Sequence, residues 1–264
     1  MGGIDMTGRI IAEASDAHAT LTISQPERRN ALTVAMWQDL AQHVRALSAS
    51  DAMRCIVVRG ATAEAFSAGA DISEFHAERA TREQVVRFHE EYVGGCLGAI
   101  ADCPVPVVAA IRGACFGGGL EIAVACDLRI AAQGARFGAP VGRMGFPLAL
   151  GETEGLFRLV GPSVSAELLI EGRLFDARTA YEKGLVSRVV EAEDFDRAVA
   201  ETVENICASG VFAARSHKRQ IQRLMRDAAP VTRAERMEEY GFAEIGEYRR
   251  GVEAFLAKAA RRTR

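Results

Sequence analysis

The chain has 264 residues, 49% hydrophobic and 25% charged, a balance that supports a sizeable globular core. Thirty-two Lys and Arg against 35 Asp and Glu leave a net charge of −3, which excludes an overall nucleic-acid footprint; Lys258, Arg261, Arg262 and Arg264 leave only a local basic end. With no apolar run of about 18 residues and no apolar signal core in Met1–Arg9, the expectation is a cytoplasmic chain without a membrane span.

In chain order, Arg9–Ala14 and Ala19–Ser24 read as a hairpin around Ser15–His18. Gln25–Asn30 is a polar loop holding Pro26. Apolar spacing predicts a helix over Thr33–Leu47 capped by Thr33, and Cys55–Gly60 reads as a buried strand. Phe66–Phe75 is loop, and Thr81–Ala101 a long helix capped by Thr81. Val105–Ile111 is a second buried strand, followed by a Gly-rich turn, a helix over Leu120–Cys126 and a strand over Asp127–Ala132. Alternation of this kind belongs to an α/β architecture with parallel strands. Beyond Gly161 the pattern turns helical over Ser163–Glu171, Ala177–Gly184, Asp194–Ser209, Ala213–Arg226, Val231–Glu247 and Gly251–Arg261, with one strand at Leu185–Val190. Residues 1–190 therefore form an α/β core. Residues 191–264 form a helical region that packs on the core or on a neighbouring subunit.

The six cysteines are scattered without a CxxC and sit in apolar runs, so they read as small buried hydrophobes. The five histidines have no metal-binding spacing, and no metal is expected.

Two segments combine several small residues where a strand ends: Phe66–Ile72 (FSAGADI) and Gly113–Glu121 (GACFGGGLE). Small residues allow positive φ and close approach of a ligand to the backbone. Two such turns facing one another would offer two N–H donors to a single oxygen; close packing is the competing reading of either turn alone. The glycines at 113, 117, 118 and 119 do not make a G-x-G-x-x-G dinucleotide fingerprint. A P-loop and a G-x-S-x-G nucleophile elbow are absent.

These motifs resemble the crotonase superfamily, the enoyl-CoA hydratase/isomerase family. Leu21–Leu32 (LTISQPERRNAL) is similar to its entry strand and loop, and Phe66–Ile72 to its first oxyanion segment. Pro106–Gly113 with Gly117–Ile122 is similar to the second. Cys126–Ala131, Phe137–Pro140, Ala180–Val186 and Gly251–Phe255 follow in the family's order. The resemblance implies a ClpP/crotonase-like α/β spiral of ββα units with a C-terminal helical trimerisation region, assembled as a homotrimer or a dimer of trimers. It implies an acyl-CoA thioester substrate and no separate cofactor, since the substrate carries the coenzyme A. The enolate oxygen would rest on the backbone N–H groups of Ala70 and Gly118.

The resemblance also implies two catalytic glutamates. Glu121 matches the first; its other reading is a carboxylate satisfied by nearby backbone N–H groups. The second position holds Val141, which transfers no proton. Three readings stay open: Glu121 acts alone, in a reaction such as decarboxylation or thioester hydrolysis rather than hydration or isomerisation; another carboxylate substitutes; or the chain is a non-catalytic acyl-CoA-binding subunit. Glu152 is the candidate substitute, with Glu154 beside it, although charge at the start of a helix explains both residues as well. Carried over from the family as the thioester-binding set are Arg28 and Arg29 toward the CoA phosphates, Ser67 and Ala68 toward adenine, Lys258 from the last helix, and Gly69, Asp71, Ile72, Gly117 and Val141. Asp71 reads chiefly as a loop brace. His76 and His89 read as surface or packing residues that could reach the acyl pocket. Met144, Phe146 and Leu148, in the apolar stretch Phe137–Leu150, suggest an apolar acyl group or plain core packing.

Overall fold

A computed structural model describes residues 8–262, with side chains through 257. Met1–Thr7, Arg264 and the side chains of Lys258, Arg261 and Arg262 lie outside the described residues.

Two sheets form the core. The larger has the order β1-β2-β3-β5-β7-β10 and the smaller β4-β6-β8-β9. The hairpin β1 (Arg9–Ala14) and β2 (His18–Ser24) is antiparallel, and β2, β3 (Cys55–Gly60), β5 (Val107–Ile111), β7 (Leu128–Ala132) and β10 (Arg188–Val190) then pair in parallel. β5 is buried at every position, and its VVAAI sequence suits a strand covered on both faces. Each of β3, β5 and β7 hands the chain to a short strand of the second sheet: β4 (Ala65–Ser67), β6 (Ala114–Phe116) and β8 (Arg136–Gly138). β9 (Phe175–Asp176) closes that sheet antiparallel to β8.

Helices follow each pair. The first of the chain, α1 (Val34–Ser48), starts where the Thr33 side chain accepts from the Met36 N–H. After β4 come α2 (Phe75–Glu78), α3 (Arg82–Arg87) and α4 (Gly94–Ala101). Thr81 and Gln84 cap α3 reciprocally, and a π-helical stretch, Phe88–Val93, joins α3 to α4. After β6 comes α5 (Gly118–Ala125), and after β8 comes α6 (Leu150–Leu169). This recurrence makes the chain a spiral of ββα units, the crotonase-like fold anticipated above. Gly161 adopts φ 74° just before Pro162, so α6 kinks there. The helix begins at Leu150, where the Glu152 segment reads as a helix start, and continues past Gly161 to Leu169.

α7 (Ala177–Glu182) leads to β10, and α8 (Phe195–Ala208) lays Phe195 and Val203 against β3, β5 and β7. α9 (Val211–Arg226), α10 (Arg233–Glu239) and α11 (Gly246–Arg262) complete the chain. The break in the final helical stretch falls at Ile245, not near Gly251, because a 3-10 segment over Tyr240–Glu244 ends α10. Ile221, Leu224, Phe255 and Leu256 on α9 and α11 are exposed. No helix among the described residues is long and apolar enough to cross a membrane.

One ion pair ties the helical end to the sheet. Lys218 of α9 is 6% exposed; its Nζ sits 2.7 Å from Asp127 Oδ2 and donates to the Val105 carbonyl at 3.0 Å. Asp127 also accepts from the Val107 N–H. Removing Lys218 leaves the partly exposed Asp127 carboxylate without its cation, at a cost of about 1–3 kcal/mol. Lys218→Met should lose stability on that scale, measured by urea unfolding; a loss under about 1 kcal/mol would refute the role.

The cysteines are free; five are buried and Cys207 is half-buried. Burial pushes the thiols of Cys55 and Cys126 up to about 12, which leaves them inert packing groups.

Candidate active site

The loop from β2 to α1 holds the site's first wall. Arg29 and Asn30 take positive φ (53° and 55°), which turns the chain back after Pro26. Asn30 is fully buried; its amide donates to the Ala65 carbonyl at 2.7 Å while its Oδ1 accepts from the Gln25 N–H. This clasp holds the loop on β4. Leu32 then forms a parallel bridge to Ala70: the Leu32 N–H donates to the Gly69 carbonyl, and the Asp71 N–H donates to the Leu32 carbonyl. In a parallel bridge the neighbours of Ala70 carry both bonds, so its own N–H points away from Leu32.

The second wall is the turn from β6 into α5. Gly113 (φ 61°) must be glycine, since a Cβ there would collide with the Glu64 carbonyl. Gly117 (φ 47°) swings the chain into α5, leaving the Gly118 N–H as the first, unpaired donor of that helix. The two walls touch: a Cβ on Gly69 would lie 3.3 Å from Gly118 N, and one on Gly118 would lie 3.5 Å from Ala70 N. Among the described residues neither the Ala70 nor the Gly118 N–H has an acceptor. Beneath them Trp37 is fully buried; its ring would stand 2.6 Å from a Cβ on Gly118.

The two N–H groups open on a cavity of about 170 Å³. Glu121, in the first turn of α5, lines it, and so do Glu152, His89 and Arg79. Val141, Met144, Phe146, Leu148, Ile72 and Gly117 supply part of the remaining wall. Burial drives the Glu121 carboxyl well above its usual range; the nearby Glu152 charge raises it further, and Arg79 only partly opposes this. Glu121 is thereby a carboxyl whose neutral form the site favours.

Glu152 is only 7% exposed, which overturns its reading as a solvated helix-start charge. One oxygen caps its own helix by accepting from the Ala149 N–H at 3.0 Å. The other lies 2.5 Å from His89 Nδ1. Arg79 Nη2 lies 3.0 Å from His89 Nε2. A guanidinium only donates, so Nε2 must accept and the ring proton sits on Nδ1, facing Glu152. The chain Arg79, His89, Glu152 is thus fixed in direction. Glu154 behaves as expected of surface charge, paired with Arg158 one turn along α6.

His89 reaches the cavity from the π-helical stretch, which carries an extra residue per turn and re-aims the side chains it contains. Nothing in the local sequence marks that turn, and His89 ranks in the sequence with the exposed His76. Arg79 was missed altogether. Its one legible signal is Phe75, four residues earlier and so one helical turn away; the guanidinium carbon stands 4.3 Å from that ring's centroid.

Of the other residues carried over, Asp71 is a brace: it accepts from Gln25 Nε2 (2.9 Å), Arg28 Nη1 (2.8 Å) and Ser73. Burial pushes its carboxyl up, but the hydrogen bonds from Ser73, Gln25 and Arg28 outweigh that and hold it below the usual range. Arg28 is half-exposed and committed to Asp71 and Ser73, while Arg29 is exposed. Ser67 is fully buried, with its hydroxyl accepting from the Gly69 N–H. A Cβ on Gly119 would come within 2.6 Å of its carbonyl, so Ser67 has no surface for a ligand, whereas Ala68 is exposed.

Two unpaired backbone donors thus stand on a ββα spiral beside the buried Glu152 and the half-buried Glu121, a geometry suited to holding a developing oxyanion next to proton-carrying groups. The family model described as enoyl-CoA hydratase/isomerase matches residues 13–262. The chain is 31% identical over 253 residues to a probable enoyl-CoA hydratase of Rhizobium meliloti, covering 94% of this chain and 95% of that protein. It is 32% identical over 257 residues to a crotonyl-CoA hydratase of Syntrophomonas wolfei, with 94% and 95% coverage. A crystal structure of an enoyl-CoA hydratase/carnithine racemase from Magnetospirillum magneticum superposes with a TM-score of 0.92 at 40% identity, covering 97% of this chain and 94% of that one. The chain belongs to the enoyl-CoA hydratase/isomerase family and has its crotonase fold.

Proposed function

We propose that this protein adds water to, or shifts the double bond of, a short enoyl-CoA thioester, using Glu121 and Glu152 as its carboxylate pair. The observation that carries this reading is the burial of Glu152 in the same cavity as Glu121, close enough that its charge acts on Glu121. The carboxylate missing at position 141 is supplied from the first turn of α6.

In hydration, the thioester oxygen accepts from the Ala70 and Gly118 N–H groups. Water adds its oxygen to C3 of the enoyl chain and gives a proton to Glu152. The π electrons move to the thioester oxygen, forming the enolate on the two donors. Glu121, in its protonated form, delivers its proton to C2 as the enolate collapses. Proton transfer within the pair then restores the starting state. Glu152 keeps acceptor capacity for this, because each carboxylate oxygen takes two hydrogen bonds and only one is used on each. Each backbone donor in such a site is typically worth about 10²–10³ in rate. The substrate brings its own coenzyme A, and no other cofactor enters the scheme. The exposed apolar residues of α9 and α11 support assembly into a trimer.

A non-catalytic binding role makes the opposite forecast for one variant. Crotonyl-CoA hydration, followed by loss of the conjugated thioester absorbance, should proceed with wild type and slow in Val141→Glu, where a third carboxylate crowds the cavity. An inert wild type that gains activity from Val141→Glu would favour the non-catalytic reading instead.

A further inference from the structure

Resting on the acyl-CoA reading above, we propose that Arg79 makes the acyl pocket a site for a short chain ending in a carboxylate, that is, the mono-thioester of a dicarboxylic acid. Arg79 is the one Lys or Arg among the described residues that line the cavity. Its guanidinium carbon lies 4.3 Å from the centroid of the Phe75 ring, 4.4 Å from Phe146 and 5.1 Å from Phe88. Three rings therefore hold the guanidinium in place and cover it with apolar surface.

Of its five N–H groups, the only hydrogen bond formed among the described residues goes to His89. No carboxylate among them lies within 4.0 Å, so this cation has no direct ionic partner. Burial lowers its hold on the proton, an effect that Glu152 and Glu121 oppose from a distance. A neutral donor would orient His89 equally well. A planar fork with unused donors, held open on a substrate cavity, matches the geometry of a carboxylate.

Size and charge agree. The cavity of about 170 Å³ holds the volume of about five or six water molecules, which limits the acyl chain to a few carbons. Glu121 sits where burial favours its neutral form, and each oxygen of Glu152 already accepts one hydrogen bond, from His89 or from Ala149. An incoming carboxylate would meet the unused donors of Arg79, with the Glu152 charge set behind the His89 ring, on its Nδ1 side. The apolar wall of Met144, Phe146 and Leu148 then packs the chain's methylenes, while Phe146 also stacks on Arg79.

Calorimetric titration with saturated thioesters tests this without turnover. Succinyl-CoA is compared with butyryl-CoA, and glutaryl-CoA with valeryl-CoA, so that each pair has equal carbon number. At one length or both, wild type should bind the carboxylate-ended thioester about tenfold or more tightly. Arg79→Met, which keeps the stem against the rings, should abolish the preference. Arg79→Lys, which keeps the charge without the fork, should retain part of it. Equal or tighter binding of the methyl-ended thioesters at both lengths by wild type would overturn the inference, as would a preference that survives Arg79→Met. Failure of all four thioesters to bind would instead remove the acyl-CoA reading on which it rests.

Discussion

Glu121→Gln should lose about 10²–10⁴-fold in turnover, the usual contribution of a positioned acid or base, and should become more stable at neutral pH rather than less. Both effects come from the same burial. The folded protein raises the Glu121 carboxyl well above the value it has in the unfolded chain, so between those two values the folded state holds a proton that the unfolded state has released. The stability this carboxyl contributes is complete below the unfolded value and is lost as pH rises through the folded one. Glutamine cannot ionise, so it escapes that loss. Thermal melts of both proteins at several pH values should show the gap in favour of Glu121→Gln widening as pH rises. In wild type, turnover should fall over the alkaline limb as Glu121 gives up its proton. A variant as active as wild type would remove Glu121 from the chemistry; a variant less stable at alkaline pH would show that its carboxylate is satisfied by neighbours.

Glu152→Gln should also cost about 10²–10⁴-fold in turnover, with a different physical signature. A glutamine has one carbonyl oxygen, whereas Glu152 accepts from both Ala149 and His89. One donor must then face an amide N–H, which costs about 1–3 kcal/mol where the group is buried. This variant should therefore lose stability where Glu121→Gln gains it. The two carboxyls act as one unit, so the double variant should turn over about as slowly as the slower single variant. Multiplying losses would indicate two independent groups and contradict the pairing.

The sequence exposed what depends on neighbours along the chain. The caps at Thr33 and Thr81, the buried strands Cys55–Gly60 and Val107–Ile111, and the glycine turn into α5 all follow from local patterns and appear in the structure. The resemblance added the spiral, and with it the approach of Ala70 to Gly118. The strands β4, β6 and β8 have three residues each and sit within or beside small-residue segments, where no alternation can develop. Glu152 looked like helix-start charge because its burial depends on His89, 63 residues away. His89 and Arg79 enter the cavity through a π turn and a stack of three phenylalanines, both products of tertiary packing. The sequence already offered Glu152 on α6 as a candidate, but its burial and its partners could be seen only once the chain was folded.

Turnover of crotonyl-CoA in D₂O by wild type, Glu121→Gln and Glu152→Gln, with the product analysed by mass spectrometry, tests the paired-carboxylate site most directly. Wild type should consume the enoyl absorbance and place one deuterium at C2 of a 3-hydroxyacyl product, with both variants at least about 10² slower. A wild type that binds the thioester yet forms no deuterated product, or a Glu152→Gln variant as fast as wild type, would contradict it.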